Sequence, residues 1–367
     1  MIRERDRRWI REAIRLAMLG DGRTSPNPLV GAVVVKGWKV VGKGFHQRAG
    51  GDHAEVIALK EAGGMAKNGT LYTNLEPCSH TGRTPPCTET IIRSRVSKVV
   101  ASHEDPNPLV SGKGLKRLKE AGIEVEVGVL EEEARGINEA YLKYIRTKIP
   151  LVILKIAATL DGKISKFNHQ SPITNYQSRH WITGKDARNR VHEWRNRVDA
   201  VVVGVETVIQ DNPSLTVRNV KRCKNPRRIV LDSTLRIPEG ARILTDKTAP
   251  SILVTTERAP QKKVFLFEKR GIELWTVHSN REGKVDVEEF LKEVGRREIT
   301  SLLVEGGSEI FTSFLPFGDK LLYFISPKIF GRGLPAFQDL KEKYSLSQSR
   351  WEQVGEDLLL EGYLKRQ

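Results

Sequence analysis

Four residues suggest chemistry before any fold is considered. His53 stands two positions before Glu55 in GFHQRAGGDHAEVIAL, and Cys78 and Cys87 close the stretch LEPCSHTGRTPPCTET. One imidazole and two thiolates can bind Zn²⁺ tetrahedrally and leave a fourth position for water. Bound zinc lowers the pKa of that water toward ~7, which makes hydroxide available at neutral pH. Glu55, at a helix start beside the ligand His53, can face the water without ligating the metal and can move protons. H-x-E followed by P-C and a second cysteine is the signature of zinc deaminases acting on nucleobases. The common form has two residues between the cysteines, and here there are eight. Pro85-Pro86 stiffens the loop that must bring the second thiolate back. Other readings stay open: a closed zinc site completed by His80, or residues with no shared role. His46 reads either as a pocket residue or as a packed surface histidine.

Alternating strands and helices position these residues. A helix over 6–19 is expected from the face Trp9, Ile10, Ala13, Ile14 and Ala17. Strands are expected over 29–35, 39–45, 70–74, 98–102 and 124–127. Helices are expected over 53–62, with Asp52 as N-cap, and over 88–95, 114–121 and 131–146. After Pro150 a second alternating series begins. It has strands over 151–157, 200–204, 228–231, 251–255, 273–277, 302–305, 321–325 and 358–364, and helices over 185–197, 287–294 and 309–314. Such alternation means layered α/β domains, divided as residues 1–147 and 148–367. The stretch 216–227 reads as a basic loop.

Composition bounds the partners. The chain has 367 residues, 39% of them hydrophobic and 29% charged, which suits two domains with ordinary cores. No apolar run approaches the ~20 residues that span a bilayer, and the charged amphipathic N-terminus is unlike a signal peptide. A cytoplasmic protein without membrane partners is expected. Three cysteines do not make a disulfide framework. The net charge of +16 favours anionic partners, either nucleic acid or phosphorylated small molecules, or is simply a basic surface. Its spread along the chain speaks against a nucleic-acid arm.

The chain resembles the bifunctional riboflavin-biosynthesis deaminase/reductase family. The first half matches in SPNPLVGAVVV (25–35), HAE (53–55), LEPCSHTGRTPPC (75–87) and DPNPLVSGKG (105–114). The second half matches in LKIAATLDGK (154–163), WITG (181–184), DAVVVGVETVIQDNPSLTVR (199–218), RIVLDS (228–233) and VEGGSEI (304–310). The eight-residue cysteine spacing is this family's form of the motif. The resemblance implies a cytidine-deaminase-like domain followed by a dihydrofolate-reductase-like domain, each three-layered. The first removes the 2-amino group of a diaminopyrimidinone carrying a ribosylamino 5′-phosphate. There Glu55 is catalytic, His53, Cys78 and Cys87 hold Zn²⁺, and Asn27 and His46 line the pyrimidine pocket. Asn27 reads equally as a turn residue beside two prolines. The second domain transfers hydride from NADPH and opens the ribosyl ring to ribityl.

The same resemblance implies NADP contacts at Ala158, Trp181, Thr207, Asp211, Ser233 and the glycine turn from Gly307 onward, where backbone N–H groups and a helix start favour phosphate. It implies substrate contacts at Arg195, Leu215, Arg218 and Glu305, with the two arginines clamping the phosphate. Taken singly, the Gly306-Gly307 pair is often only a turn and each arginine only a solvated cation. Asp161 reads as a turn residue or a catalytic neighbour. Before Trp181 the chain reads NHQSPITNYQSRHW where the family carries a short Gly-acidic-Ser segment, so the substrate-facing position falls on Ser178 or Arg179. A homo-oligomer and a phosphorylated pyrimidine substrate, with no nucleic acid, are also implied. No G-x-G-x-x-G appears, so a Rossmann domain is not indicated. Two further readings compete: a tRNA-type deaminase with an appended binding domain, and a non-catalytic zinc-stabilised module. The second half lacks the aromatic K/R-G-F/Y signature of an RNA-recognition sheet.

Overall fold

The structure is a computed structural model and describes residues 4–79, 86–166, 181–221 and 223–367. The chain divides into two compact units, Met1–Lys148 and Ile149–Gln367. Among the described residues no helix is long and apolar enough to cross a membrane.

The first unit is built on five strands: β1 (Gly31–Lys36), β2 (Lys39–Phe45), β3 (Thr70–Thr73), β4 (Lys98–Ala101) and β5 (Glu124–Val127). Their order is β2-β1-β3-β4-β5, with the first two pairings antiparallel and the last two parallel. Side chains alternate across a strand, and β1 is apolar on both faces. Val33 and Val35 pack under α1 (Glu4–Ala17) with Trp9, Ile10, Ala13 and Leu16. Ala32 and Val34 pack on the other face against α2 (Ala54–Ala62), α3 (Cys87–Ser94) and α4 (Lys113–Glu120). A sheet buried on both faces makes three layers.

Two local expectations change. Asp52 does not cap α2: His53 holds the cap position, and the Asp52 carboxylate accepts from Lys60 at 2.7 Å. The expected single helix over 131–146 is two, α5 (Glu131–Ile137) and α6 (Glu139–Thr147), broken at Asn138. The break has a use. The Asn138 side chain accepts from Leu29 N–H at 2.7 Å and donates to Leu29 C=O at 2.9 Å.

The second unit carries β6 (Leu151–Thr159), β7 (Lys163–Lys166), β8 (Ala200–Gly204), β9 (Arg227–Leu231), β10 (Ser251–Thr255), β11 (Glu273–Thr276), β12 (Ser301–Val304), β13 (Lys320–Ser326), β14 (Gly333–Pro335), β15 (Tyr344–Val354) and β16 (Asp357–Arg366). Nine of these form one sheet, β11-β10-β9-β8-β12-β6-β13-β16-β15, parallel from β11 to β13 and antiparallel beyond; β7 and β14 pair separately. The helices are α7 (Lys185–Arg197), α8 (Val205–Asp211), α9 (Arg242–Thr245), α10 (Gln261–Lys269), α11 (Val287–Arg296) and α12 (Ser308–Phe314). Val202, Ile229, Val254 and Val304 share a core with Phe290 and Phe314 of α11 and α12. Their neighbours Val201, Val203, Val230, Leu253 and Leu303 point the other way and are equally buried. The apolar runs explain why the parallel strands were legible. The polar sequence of β15 gave no such signal, and α8 and α10 were also unexpected.

Candidate active sites

In the first unit, α2 presents His53 and Glu55, the turn after β3 presents Cys78, and α3 opens on Cys87. The ligand atoms of His53, Cys78 and Cys87 all lie within 4.8 Å of one another. His53 Nδ1 stands 3.0 Å from Cys87 Sγ and 3.5 Å from Cys78 Sγ. Donors bonded to one tetrahedral zinc at ~2.0–2.3 Å sit about 3.5 Å apart, so the set fits that ion. Glu55 is only 3% exposed. Its carboxylate accepts from Cys87 Sγ at 3.7 Å, and burial raises its pKa to about 7. That value suits a group that both takes and gives protons. Hydrogen bonds from Cys87 and then His53 bring the Cys78 thiol down to about 4, while Cys87, bonded to Cys78 and buried beside Glu55, is raised. Ligation of zinc needs both sulfurs as thiolates, so binding of the ion would release protons.

His46 packs edge-on to His53, with ring centroids 5.4 Å apart. Its Nδ1 lies 3.1 Å from the Asp52 carbonyl and its Nε2 lies 3.1 Å from Asn27 Nδ2. A carbonyl only accepts, so Nδ1 carries the proton and Nε2 accepts from the amide. Burial lowers the His46 pKa, which favours the neutral ring. Asn27 and His46 are thus brought together beside the ligand set. The turn carrying Asn27 is held from both sides, because Asn74 accepts from Gly31 N–H at 2.7 Å and donates to Leu29 C=O at 2.9 Å.

Glu76, absent from the sequence expectations, organises the loop that follows β4. Its buried carboxylate accepts from the backbone N–H groups of Asp105, Gly112, Gly114 and Leu115 at 3.0, 2.9, 2.9 and 3.3 Å. It thereby ties the DPNPLVSGKG loop to the Pro77-Cys78 turn. Asp105 in turn accepts from Tyr141 Oη at 2.9 Å. The available signal was a carboxylate adjacent to an apolar P-C turn. His80 lies outside the described residues.

In the second unit the candidate residues gather at the C-terminal ends of parallel strands, the ligand-binding edge of open α/β sheets. Ala158 ends β6, Thr207 and Asp211 lie on α8 after β8, Ser233 follows β9, and Glu305 and Gly307 follow β12. Arg195 and Glu305, expected as separate substrate contacts, bond to each other in a buried bidentate pair. Arg195 also donates to Thr216 C=O at 3.2 Å. Lys155 Nζ, which the sequence expectations missed, lies 3.7 Å from Glu305. Burial lowers the Lys155 pKa. A lone lysine inside the apolar run LVILKIAAT was its signal. Arg218 is exposed and Leu215 is buried with φ +51°, a left-handed conformation rare for leucine. Trp181 is half exposed, with the Arg188 guanidinium 4.9 Å over its ring and its carbonyl bonded to Lys328 Nζ at 3.0 Å.

Asp161 behaves as a turn residue. It accepts from Thr159 Oγ1 at 2.5 Å and from Phe330 and Gly331 N–H at 3.1 and 2.8 Å, and these bonds, the first above all, hold its pKa near 2. Ser178 and Arg179 lie outside the described residues.

Gly307, the expected contact for a dinucleotide phosphate, lies in the glycine turn after β12. A Cβ on Gly306 would meet Val203 Cα at 2.9 Å, and Gly307 has φ +48° with Thr207 Oγ1 3.7 Å from its Cβ position. Gly306 is thus required by its close packing on Val203 of β8, and Gly307 by its left-handed backbone. Beside it the Ser308 hydroxyl is buried without a hydrogen-bond partner among the described residues. The helix that follows is only seven residues long, so its dipole adds little.

Both units have relatives among known proteins. Residues 3–103 match the cytidine and deoxycytidylate deaminase zinc-binding region, and residues 150–360 match the RibD C-terminal domain. The riboflavin biosynthesis protein RibD of Aquifex aeolicus (strain VF5) is 44% identical over 366 residues, covering 98% of this chain and 99% of that protein. The RibD of Bacillus amyloliquefaciens is 40% identical over 96% of this chain and 94% of its own length. The solved structure of Acinetobacter baumannii RibD superposes with TM-score 0.85 at 34% identity, covering 99% of each chain. That of the Thermotoga maritima diaminohydroxyphosphoribosylaminopyrimidine deaminase/5-amino-6-(5-phosphoribosylamino)uracil reductase gives 0.82 at 37% identity, again over 99% of each chain.

Proposed function

The chain belongs to the RibD family of bifunctional riboflavin-biosynthesis deaminase/reductases, and from that footing we propose how its own residues divide the two reactions. The fold is a cytidine-deaminase-like zinc domain followed by a RibD-type reductase domain that uses NADPH. We assign zinc to His53, Cys78 and Cys87, on the observation that carries the reading: three ligand atoms at zinc-donor spacing beside a buried glutamate poised near neutrality. Zinc held there acts as a Lewis acid and acidifies a water.

Glu55 then takes the proton of the attacking water and delivers it to the ring nitrogen and next to the departing amine, which leaves as ammonia. Neutral His46 and the Asn27 amide orient the pyrimidine edge. The loop tied down by Glu76 closes the pyrimidine pocket.

In the reductase domain NADPH supplies the hydride that reaches the anomeric carbon. The carbon–oxygen bond of the ring breaks, and the ring oxygen requires a proton. Lys155, a buried ammonium that gives up its proton readily, is the donor, and Glu305, fixed by Arg195, holds it and a ribosyl hydroxyl. Arg218 takes the phosphate in place of the already engaged Arg195. Ala158, Trp181, Thr207, Asp211, Ser233 and Gly307 line the cofactor. The substrate is a phosphorylated pyrimidine. The same reading has the enzyme cytoplasmic, homo-oligomeric and without a nucleic-acid partner, its spread of positive charge serving anionic small molecules.

The test supplies zinc-replete protein with the diaminopyrimidinone phosphate and NADPH. One ammonia released and one NADPH consumed per substrate is expected, and Lys155→Met loses only NADPH consumption. A folded, metal-replete protein that turns over neither would defeat the reading.

A further inference from the structure

One peptide group joins the Arg195–Glu305 pair to Arg218. Thr216 C=O and Val217 N–H belong to the same planar unit. The carbonyl accepts from Arg195 Nη1 at 3.2 Å, and the N–H donates to Asn225 Oδ1 at 2.8 Å. Bonds at both ends fix the plane. On one side lies Arg195, the partner of Glu305, and on the other Arg218 follows Val217 directly. Leu215, Thr216 and Val217 are buried, and the chain emerges at the exposed Arg218. Leu215, left-handed just before the plane, holds a conformation that persists only where its surroundings dictate it.

Asn225 is itself anchored. Its Nδ2 donates to Thr248 C=O at 3.1 Å, and Pro226 restricts its backbone to extended conformations. Thr248 N–H in turn donates to the Asp246 carboxylate at 2.9 Å. The wholly buried Arg228 donates to the carbonyls of Asp246 and Ala249, at 2.6 Å each, and to that of Ser214 at 3.3 Å. One frame therefore holds the chain before the plane, through Ser214, and after it, through Asn225. Two asparagines of α7 lay the rest of the loop down: Asn196 accepts from Lys224 N–H at 2.8 Å and Asn189 from Asn219 Nδ2 at 3.3 Å.

A ribosyl 5′-phosphate carries its hydroxyls and its phosphate a few bonds apart. Groups that take both must stand at a set separation, and a displacement of about 1 Å is costly. We propose that Asn225 is a positioning residue: by clamping Val217 it sets Arg218 at the distance from Glu305 that a ribosyl 5′-phosphate spans, and so favours phosphorylated substrate. This rests on the reading of Arg218 as the phosphate residue given above. Asn225 acts through Arg218 and touches no substrate itself.

The experiment measures reductase kinetics of full-length wild type, Asn225→Ala, Arg218→Ala and the double variant at saturating NADPH. Each is given the deaminated substrate and the same compound with its phosphate removed. Asn225→Ala should raise KM for the phosphorylated substrate about 10-fold, as expected when a charge-assisted contact is misaligned. Its kcat should stay within about twofold, and kcat/KM for the dephosphorylated compound should be unchanged. In the Arg218→Ala background the same change should add nothing, because the two act as one unit. No rise in KM, an equal loss on both compounds, or a loss that persists without Arg218 overturns the assignment of Asn225 and leaves the phosphate reading standing. Arg218→Ala that fails to discriminate between the two compounds overturns the phosphate reading, and this inference with it.

Discussion

Arg195 and Glu305 meet side-on, Nε to Oε1 at 2.5 Å and Nη2 to Oε2 at 2.9 Å, in a site where both side chains are almost wholly removed from water. Residues 110 positions apart thus form one rigid unit from α7 and the end of β12. Two charges so desolvated are held by each other, and loss of one leaves the other uncompensated. Arg195→Ala is expected to destabilise the protein by about 3–5 kcal/mol. The double variant Arg195→Met, Glu305→Leu should recover most of that loss in urea unfolding, because apolar partners need no counter-charge. It should still consume no NADPH, since Lys155 then lacks its carboxylate.

Glu55→Gln separates metal binding from proton movement. The amide is isosteric and no ligand is touched, so zinc content should stay at that of the wild type. Ammonia release should fall by about 10²–10⁴-fold, the usual contribution of a positioned acid–base group. NADPH consumption on already deaminated substrate should be unchanged. Ammonia release at the wild-type rate would leave Glu55 with only a structural role.

Both results test features that differ in how far the sequence disclosed them. The HAE and P-C motifs name their own residues because metal ligation needs particular atoms, and atom types are written in the sequence. Arg195 and Glu305 were also visible as candidates, yet their mutual bond was not. Pairing depends on where β12 sits in the sheet, between β8 and β6, which chain order does not disclose. Asn138 reads as an ordinary helical position between Glu131 and Arg146. It breaks the helix because its amide serves Leu29, 109 residues away. Strand β15 carries too few apolar residues to show a period, being an edge held by its neighbour β16.

Glu76 offers a test of that hidden support. Its two oxygens accept four backbone N–H groups, and an amide can present only one accepting oxygen and must turn an NH₂ toward the rest. Glu76→Gln should cost about 2–4 kcal/mol through unsatisfied buried donors, read as a lower melting temperature. Amide exchange over residues 105–115 should accelerate, and ammonia release should fall while the reductase step on deaminated substrate is retained. Unaltered exchange in that segment would mean that other contacts hold the loop.

His192 ties stability to pH. It is 7% exposed, and its Nδ1 is buried without a hydrogen-bond partner among the described residues. Burial first, then the cations of Arg195 and Arg218, lower its pKa from 6.5 to about 4 against the opposing pull of Glu305. The folded ring thus refuses a proton that the unfolded chain accepts. Between about pH 4 and 6.5 the unfolded state binds more protons, so stability rises with pH across that window. The contribution is complete above pH 6.5 and is lost as the pH falls toward 4. Allowing for relaxation around the ring, about 1–3 kcal/mol is at stake. His46 and His103 titrate in the same sense in the first unit, so wild type alone does not isolate the effect. The difference in unfolding free energy between wild type and His192→Gln, followed from pH 7 to pH 4.5, does isolate it. Wild type should lose more stability than the variant over that range, and parallel curves would show that His192 does not couple protonation to folding.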